Sequence, residues 1–376
     1  MDTNLAHTLQ RVGRAFRLPG PFFSSEEINR GNINTTYRVN YISENEEGVA
    51  YIKPYLFQKV NTYAFRHPTE LMDNIDKITE YIRTRCPDRT TLHFHHVERD
   101  GRRLSYFDDP TLGFWRVVNY VPSVTYDVCD DPAVIRSAGE AFGDFQTILK
   151  DFDPSLLHET IPGFHDTRRR YEALRQAAKE DKAGRAAEVR EELDYLFSIE
   201  DEACRLLDLY EEGKLPLRVT HNDTKINNVL FDEHEPRALV VIDLDTVMPG
   251  LVGNDFGDAI RFAANFTEED SPDISHTGLD LNVFWAFTEG FLSRTADTLT
   301  PTEIDTLGLS CFALTVELAV RFLADYLAGD PYFKIKYPSH NFDRTRCQIA
   351  LSRDMQNKRD AMDSIVRACA AKYRRG

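Results

Sequence analysis

The sequence is poor in cysteine and in positive charge for its length, and each shortage excludes a class of protein. Its 376 residues include six cysteines, which are dispersed and never spaced as C-x-x-C. This pattern argues against a disulfide framework and against a cysteine zinc site. Lys and Arg number 45 against 61 Asp and Glu, so the formal net charge is −16. A charge of this sign disfavours nucleic acid and anionic membranes as partners.

A long uninterrupted apolar segment is also lacking. No run approaches the ~18 apolar residues of a membrane span, and residues 1–17 are amphipathic, without the apolar core of a signal peptide. We therefore expect a cytoplasmic protein with reduced thiols. With 42% hydrophobic and 28% charged residues, a chain of this length is long enough for two domains with their own cores.

Two short apolar runs in the middle of the chain each end in acidic residues. The run 217–220 is followed at once by His-Asn-Asp, which ends at Asp223. The run 238–242 is followed by Asp243 and, two residues on, by Asp245. Both runs are typical of buried strands. A carboxylate at the end of such a strand is held firmly and still faces a cleft.

The spacing of these polar residues predicts phosphoryl transfer. Asp223 would accept the proton of an attacking hydroxyl, and Asn228 and Asp243 would hold Mg²⁺ on nucleotide phosphates, helped by Asp245. Mg²⁺ takes oxygen ligands, few of them from protein. Kinases place a base and a metal-binding Asn in one loop and a metal-binding Asp later in the chain. Any one of these residues alone would be a turn or cap residue; the complete set favours catalysis.

Longer strings around these residues resemble a known family. H-N-D-T-K-I-N-N, V-I-D-L-D-T-V-M-P-G and D-F-G-D-A-I-R-F are similar to strings of the aminoglycoside phosphotransferase/choline kinase superfamily, and within it to the N-acetylhexosamine 1-kinases. G-N-I-N-T-T-Y and R-F-L-A-D-Y-L-A-G-D-P-Y-F extend the resemblance over most of the chain.

The resemblance implies an α+β, two-lobed protein-kinase-like fold with the active site in the cleft between the lobes. The N-terminal nucleotide-binding lobe, residues 1–119, would be an antiparallel sheet plus a helix. The C-terminal catalytic and substrate lobe, residues 120–376, would be mainly helical. Hydrophobic periodicity predicts helices over residues 5–16 and 68–83 and strands over residues 35–41, 91–95, 104–107 and 114–121.

The N-terminal part carries candidate nucleotide contacts. Gly31, Asn32 and Asn34 lie in an Asn-rich turn whose N–H groups would meet β- and γ-phosphate oxygens; a plain hairpin turn is the alternative. Asn119 and Val121 follow an apolar strand and are predicted to meet adenine through backbone groups.

The lysine that kinases place on an N-terminal strand has no orthodox counterpart here. Gln58 stands in its expected place if the register follows the N-acetylhexosamine kinases. Lys59 is its neighbour, and neighbours on a strand face opposite ways. Lys53 lies on the same run, ahead of Pro54. The sequence leaves all three residues open.

An apolar helix predicted over residues 314–327 carries Glu317, Arg321 and Asp325 on one face. Charged residues in such a helix either pair with one another, as an internal salt-bridge ladder, or contact a ligand. The resemblance implies sugar contacts from Arg321 and from the loop that contains Tyr332. The predicted substrate-binding residues are Asp223, Phe262, Arg321, Asp325 and Tyr332.

Asp255-Phe256-Gly257 spells the metal-binding tripeptide of protein kinases, but its position argues against that role. It lies 32 positions past Asp223 and opens a helical run instead of ending a strand. We interpret Asp255 as a structural carboxylate that caps this helix and ties down the catalytic loop.

The activity implied by the resemblance is ATP- and Mg²⁺-dependent phosphorylation of an N-acetylhexosamine, N-acetylglucosamine or N-acetylgalactosamine, at the anomeric C1 hydroxyl. We expect small-molecule partners only, and a monomer or weak homo-oligomer. One alternative is a kinase of the same superfamily for choline, homoserine or an aminoglycoside. Another is a nucleotide-binding pseudokinase, against which the set Asp223, Asn228 and Asp243 argues. No A-P-E-like segment lies between Asp243 and Asp255, which argues against a protein kinase.

Overall fold

The structure, a computed structural model, describes residues 3–28 and 33–374. The chain divides into two compact units. The first, called the sheet unit, runs to Ser123 and includes Leu157–Ile161 and Leu244–Thr246; the second, called the helical unit, contains the other described residues. The sheet unit contains an antiparallel sheet and the helical unit is mainly helical, so the predicted α+β fold class is confirmed.

The sheet unit is built on a sheet with the strand order β1-β2-β3-β7-β6. Strands β4 and β5 form a separate hairpin. Its helices and strands are α1 (Thr3–Ala15), β1 (Phe22–Ile28), β2 (Thr35–Glu44), β3 (Ala50–Lys59), α2 (Pro68–Arg85), β4 (Val97–Arg99), β5 (Arg102–Leu104), β6 (Phe107–Asp109) and β7 (Gly113–Asn119).

The two faces of this sheet differ in character because successive side chains of a strand point to opposite sides. On one face Tyr37, Phe57 and Val117 occupy paired positions of β2, β3 and β7 and pack with Leu9 and Val12 of α1. Burial stabilises each such side chain by about 1.5–3 kcal/mol. The opposite face carries polar residues at the next paired positions.

The helical unit contains the remaining elements. They are α3 (Pro132–Ile148), α4 (Thr167–Glu180), α5 (Arg190–Ser198), α6 (Glu200–Ala203), α7 (Arg205–Glu211), β8 (Arg218–Thr220), β9 (Val229–Phe231), β10 (Ala238–Val241), β11 (Met248–Gly250), α8 (Val252–Ala263), α9 (Leu281–Thr295), α10 (Pro301–Asp305), α11 (Leu307–Ala328), α12 (His340–Asn357) and α13 (Arg359–Tyr373).

Helix α11 forms the core of the helical unit. Its residues Phe312, Val316 and Leu323 are fully buried and pack with Tyr171 and Leu174 of α4. By length and composition α11 is apolar enough to cross a membrane, but 83% of its apolar window is buried inside the protein, as expected of a core helix. The helix ends at Gly329, whose φ of 91° is the left-handed conformation that glycine adopts most readily.

Two short pairs of antiparallel strands hold the segment that contains the predicted catalytic residues. Strand β8 pairs with β11, and β9 pairs with β10. Side chains of β8 and of the loop after it lie close to Gly250 of β11, where a Cβ atom would be 2.3 Å from Thr220 Oγ1 and 3.2 Å from Asn222 Oδ1. A larger residue at this position would therefore displace the start of the loop between β8 and β9.

Candidate active site

The loop between β8 and β9 is anchored from below by Asp255. The Asp255 carboxylate accepts hydrogen bonds from the backbone N–H groups of His221 (2.9 Å) and Asn222 (2.8 Å) and from Gln146 Nε2 (2.9 Å). Burial raises the pKa of Asp255, and the imidazole and the two N–H donors act against that shift. The prediction that Asp255 ties down the loop is confirmed. The prediction that it caps the helix is wrong, because Asp255 lies inside the first turn of α8.

A second buried carboxylate, Asp258, supports the middle of the same loop. Its Oδ2 accepts a hydrogen bond from Thr224 N (3.0 Å), and its Oδ1 accepts one from Arg261 Nη2 (2.8 Å). Burial alone would raise the pKa of Asp258, but Arg261 and Lys225 outweigh burial and lower it. The carboxylates of Asp255 and Asp258 thus fix the loop backbone at its start and in its middle.

Asp223 is presented by this anchored loop with 30% of its side chain exposed. Lys225 Nζ lies 2.8 Å from Asp223 Oδ1, and Asn228 Nδ2 donates to Asp223 Oδ2 (3.0 Å) and to the Asp223 carbonyl (2.8 Å). Burial acts to lower the pKa of Lys225, but the Asp223 and Asp258 carboxylates outweigh it and raise that pKa. The arrangement keeps a positive charge beside Asp223 and leaves the Asn228 amide oxygen as an acceptor.

The chain before Asp243 is bonded directly to this loop. Ile242 N donates to the Asn228 carbonyl (2.8 Å), and His221 Nε2 donates to the Ile242 carbonyl (2.8 Å). Asp243 follows with an exposed side chain and a φ of 59°, which is uncommon for a residue other than glycine. The backbone that carries Asp243 therefore lies beside the backbone that carries Asn228.

The donor set fits Mg²⁺. The described residues contain no group of three or more His, Cys, Asp or Glu side chains able to hold a metal by themselves. Mg²⁺ does not require one, because it is commonly held by one or two protein oxygens together with substrate phosphates and water. Asn228 Oδ1 and the Asp243 carboxylate would supply such oxygens; their role as ligands stays a prediction.

Asp245, the predicted helper, belongs to the sheet unit. Its carboxylate is 4% exposed, pairs with Arg116 through Oδ1 and accepts a 2.6 Å hydrogen bond from Asn34 Nδ2 through Oδ2. Both oxygens are therefore engaged by protein. A metal contact of Asp245 stays a prediction.

The predicted nucleotide contacts lie at two places of the sheet unit. Gly31 and Asn32 are outside the described residues, and Asn34 also accepts a hydrogen bond from Asn61 N (3.0 Å). Asn119 ends β7, where its Oδ1 accepts from His93 N (2.7 Å) and its own N–H donates to the His93 carbonyl (3.1 Å). The Val121 carbonyl accepts a hydrogen bond from a neighbouring serine. Contacts of these residues with nucleotide stay predictions.

A family model decides the wider assignment. Residues 25–282, more than half of the chain, match the APH phosphotransferase enzyme family. The chain belongs to this family.

Solved structures share the fold of this phosphotransferase. A microcompartment-associated aminopropanol kinase is 18% identical, with 96% of this chain and 99% of that chain covered and a TM-score of 0.63. Choline kinase from Cryptosporidium parvum is 14% identical (96% and 97% covered, TM-score 0.55). A spectinomycin phosphotransferase in complex with ADP and spectinomycin is 12% identical (93% and 94% covered, TM-score 0.51). At these identities the likeness concerns the fold.

The charged residues on α11 of the phosphotransferase do not form the salt-bridge ladder that the sequence left open. Glu317 is fully buried and accepts from His165 Nδ1 (3.0 Å) and Thr167 Oγ1 (3.0 Å). Burial alone would raise the pKa of Glu317, but His165 outweighs it and lowers that pKa. Asp325 instead accepts two backbone N–H groups of the following loop and Asn341 Nδ2 (2.9 Å). Both carboxylates hold protein structure.

Arg321 differs from its two acidic neighbours on the helix. Its guanidinium carbon lies 5.6 Å from the ring centres of both Phe164 and Phe333, and it makes no hydrogen bond or ion pair with any described residue. Nearby, His165 Nε2 is buried and has no hydrogen-bond partner among the described residues. A cation flanked by aromatic rings and an unpaired imidazole nitrogen are groups that a polar ligand would complete.

The two predicted aromatic contacts lie on different elements. Phe262 is on α8, with its ring centre 6.0 Å from Lys225 Nζ, so it neighbours the loop that carries Asp223. Tyr332 is 72% exposed in the loop after α11 and packs edge-on against Phe333 with ring centres 4.8 Å apart. Substrate contacts of Phe262, Asp325 and Tyr332 stay predictions.

One feature of the site was missed by sequence reasoning. Arg116, which pairs with Asp245, lies in the apolar string F-W-R-V-V; a lone cation inside a buried strand was the available signal. His165 belongs to the string F-H-D-T, which the sequence offers as either a surface cap or a substrate contact, but its partner Glu317 is 152 positions away in the chain.

Proposed function

We propose that this phosphotransferase is an ATP- and Mg²⁺-dependent kinase whose acceptor is an N-acetylhexosamine, phosphorylated at the anomeric C1 hydroxyl. The observation that carries the kinase assignment is the loop from His221 to Asn228. Its backbone is fixed by two buried carboxylates, while Asp223 remains accessible and is held by Asn228 and Lys225. This combination supplies a rigidly placed general base.

The proposed reaction places each group in one role. Asp223 orients the acceptor hydroxyl and takes its proton as the oxygen attacks the γ-phosphorus of ATP. Asn228 and Asp243 hold Mg²⁺, which neutralises charge on the phosphates when bound. The Lys225 ammonium group, 2.8 Å from Asp223 Oδ1, helps to orient the carboxylate. ADP in the solved spectinomycin phosphotransferase supports a nucleotide as the phosphoryl donor.

The surface around Arg321 supports a neutral acceptor with many hydroxyl groups. A cationic acceptor such as choline would be repelled at this surface by the Arg321 guanidinium, which has no ion pair with the described residues, whereas a neutral acceptor would not. Arg321 and His165 Nε2 instead offer polar groups without protein partners among the described residues. The Phe164 and Phe333 rings beside Arg321 supply apolar surface of the kind that packs on a sugar ring.

The test is ³¹P NMR of reactions with Mg·ATP and a panel of acceptors: N-acetylglucosamine, N-acetylgalactosamine, glucose, choline, homoserine and an aminoglycoside. We expect a phosphate signal coupled to the anomeric proton with the N-acetylhexosamines only. Product with choline, homoserine or the aminoglycoside alone would refute the sugar assignment and leave the kinase assignment standing. If the folded protein binds Mg·ADP but forms no ADP from ATP with any acceptor, the result would favour the pseudokinase alternative.

A further inference from the structure

A row of polar side chains crosses the face of the sheet opposite α1. Thr36, Gln58 and Arg116 are direct partners on β2, β3 and β7. Gln58 Nε2 donates to Thr36 Oγ1 (3.2 Å), and Arg116 Nε donates to Gln58 Oε1 (2.9 Å). The glutamine that stands in the expected position of the strand lysine thus orients a cation on the neighbouring strand.

Arg116 is buried, with 2% of the residue exposed, and only part of its hydrogen-bonding capacity is used. Its Nη1 pairs with Asp245 Oδ1 and lies 3.9 Å from Met72 Sδ, while Nε is taken by Gln58. Its Nη2 makes no hydrogen bond with the described residues. Both N–H groups of Nη2 therefore remain available to donate to a ligand.

The lysines of β3 cannot take this place. Lys53 and Lys59 alternate with Gln58 and share the face of Phe57, which packs with α1. Arg38 does lie on the Gln58 face, but its guanidinium pairs with Glu26 and stacks 4.6 Å from the centre of the Tyr120 ring.

The position of Asp245 connects Arg116 with the predicted nucleotide contacts. Asp245 Oδ2 accepts a hydrogen bond from Asn34, which belongs to the turn predicted to cover the phosphates. Asp245 also follows the predicted metal ligand Asp243 by two residues. Asp245, the partner of the Arg116 guanidinium, is therefore linked to both predicted phosphate-binding elements. A hydrogen bond links it to the turn that contains Asn34, and the chain itself links it to Asp243.

We propose that Arg116 is the cation that binds the α- and β-phosphates of the nucleotide, in place of the strand lysine, and that Gln58 and Asp245 position it. The inference rests on the proposed kinase function. A guanidinium suits this role because its planar fork can keep one edge on a carboxylate and offer another to phosphate. The ligand class is a nucleoside di- or triphosphate.

The test compares calorimetric affinities for Mg·ADP and for adenosine, which lacks phosphates. Arg116→Met alone would leave the buried Asp245 carboxylate without a counter-ion, so the variant of choice is Arg116→Met with Asp245→Asn. Because Asp245 is itself a predicted metal helper, Asp245→Asn alone is the reference. We expect Mg·ADP to bind about 10- to 100-fold more weakly to the double variant than to this reference, as for loss of a charge-assisted hydrogen bond. Adenosine affinity should be unchanged. Lys59→Met, on the opposite face, is the matched control and should bind both ligands like the wild type.

Two outcomes would overturn the proposal. A folded double variant that binds Mg·ADP as tightly as Asp245→Asn alone would show that Arg116 has no contact with phosphate. Equal weakening of Mg·ADP and adenosine would show that Arg116 only maintains the structure of the sheet unit.

A second variant decides if the first double variant does not fold. Gln58→Lys with Arg116→Met restores a lysine to β3, and it should bind Mg·ADP within about fivefold of the wild type. Tenfold weaker binding of Mg·ADP to this variant in its folded form would contradict the proposal.

Failure of the proposed function would give a different result. A wild-type protein that binds neither Mg·ADP nor Mg·ATP refutes the kinase assignment itself. Wild-type binding that is insensitive to Arg116 refutes only the role of this residue.

Discussion

Polar groups beneath the catalytic loop have hydrogen-bond partners in the protein, whereas polar groups around Arg321 lack them among the described residues. Beneath the loop, Asp255 accepts three hydrogen bonds from protein donors. Beside α4 and α11, His165 Nε2 and the half-buried Arg321 have no hydrogen-bond partners among the described residues. Buried polar groups are costly unless they are paired. A completed network therefore indicates support of the backbone, and an incomplete one leaves a group for water or a ligand to complete.

Asp223 has hydrogen-bond partners in the protein but is also partly exposed. Its replacement should have the largest effect on activity. Asp223→Asn keeps the size of the side chain but removes the proton acceptor. We expect kcat to fall by about 10²-fold or more, on the usual scale for loss of a general base. Mg·ADP affinity should change little, because Asp223 is a predicted contact of the acceptor. Steady-state kinetics with calorimetric binding of Mg·ADP measures both. Wild-type turnover in this variant would remove Asp223 from the mechanism.

Removal of Asp255 should instead affect stability first. Asp255→Ala leaves the N–H groups of His221 and Asn222 without their acceptor, while Gln146 Nε2 loses one of its two acceptors and keeps the Val219 carbonyl. Buried donors left unsatisfied cost about 1–3 kcal/mol each, so we expect a loss of at least ~2 kcal/mol in the free energy of unfolding, measured by urea denaturation. Activity should also fall, because the loop that carries Asp223 loses its anchor. Glu235→Gln, at a side chain 70% exposed, is the control and should stay within about 0.5 kcal/mol.

The sequence was sufficient to predict the elements that local pattern dictates. The helix predicted over residues 68–83 is α2, with Pro68 in its first turn, and the helix predicted over residues 5–16 is α1. The strand predicted over residues 91–95 is wrong: within it the structure has only an isolated bridge between Phe94 and Val118. Residues 104–107 are divided between β5 and β6, since the chain turns between the two strands.

The connections of the site were harder to predict than its residues. The anchoring role of Asp255 was predicted from its place at the start of a helical run, 32 positions past Asp223. By contrast, the pairs formed by Arg116 and Asp245 and by His165 and Glu317 join residues 129 and 152 positions apart. No local periodicity encodes such pairs, because they depend on which faces of the strands and helices meet in the fold.

Replacement of Arg321 tests the region in which polar groups lack hydrogen-bond partners among the described residues. Arg321→Met removes a cation that has no hydrogen bond or ion pair to lose among the described residues. It does lose two ring contacts and an attraction to Glu317, so the free energy of unfolding should fall by no more than about 1 kcal/mol. If Arg321 binds the acceptor, the KM for the acceptor should rise about tenfold, as expected for one lost hydrogen bond to a charged group.

Arg353→Met is the matched control for Arg321, because Arg353 also stacks on an aromatic ring, that of Tyr195 at 4.2 Å, but lies on the exposed side of α12. Its acceptor KM should equal that of the wild type. Loss of stability in Arg321→Met with an unchanged KM would mean that the cation holds the two phenylalanine rings and does not bind a ligand.

The smallest expected effect concerns the half-buried histidine His95 of the sheet unit. Burial, followed by the neighbouring His93 and Lys53, lowers the pKa of His95 to about 4. The unfolded chain binds a proton near pH 6.5 and the folded chain does not, so the stability contributed by neutral His95 is complete above that pH. It is lost as the pH falls from about 6.5 to about 4.

His95→Gln should therefore flatten the dependence of the free energy of unfolding on pH in this interval, by at most ~1.4 kcal/mol per pH unit for one proton. Urea denaturation between pH 4 and pH 7 measures it, with the exposed His234→Gln as control. An unchanged slope in His95→Gln would show that folding does not lower the pKa of this imidazole, so that its half-buried position does not keep water from the ring.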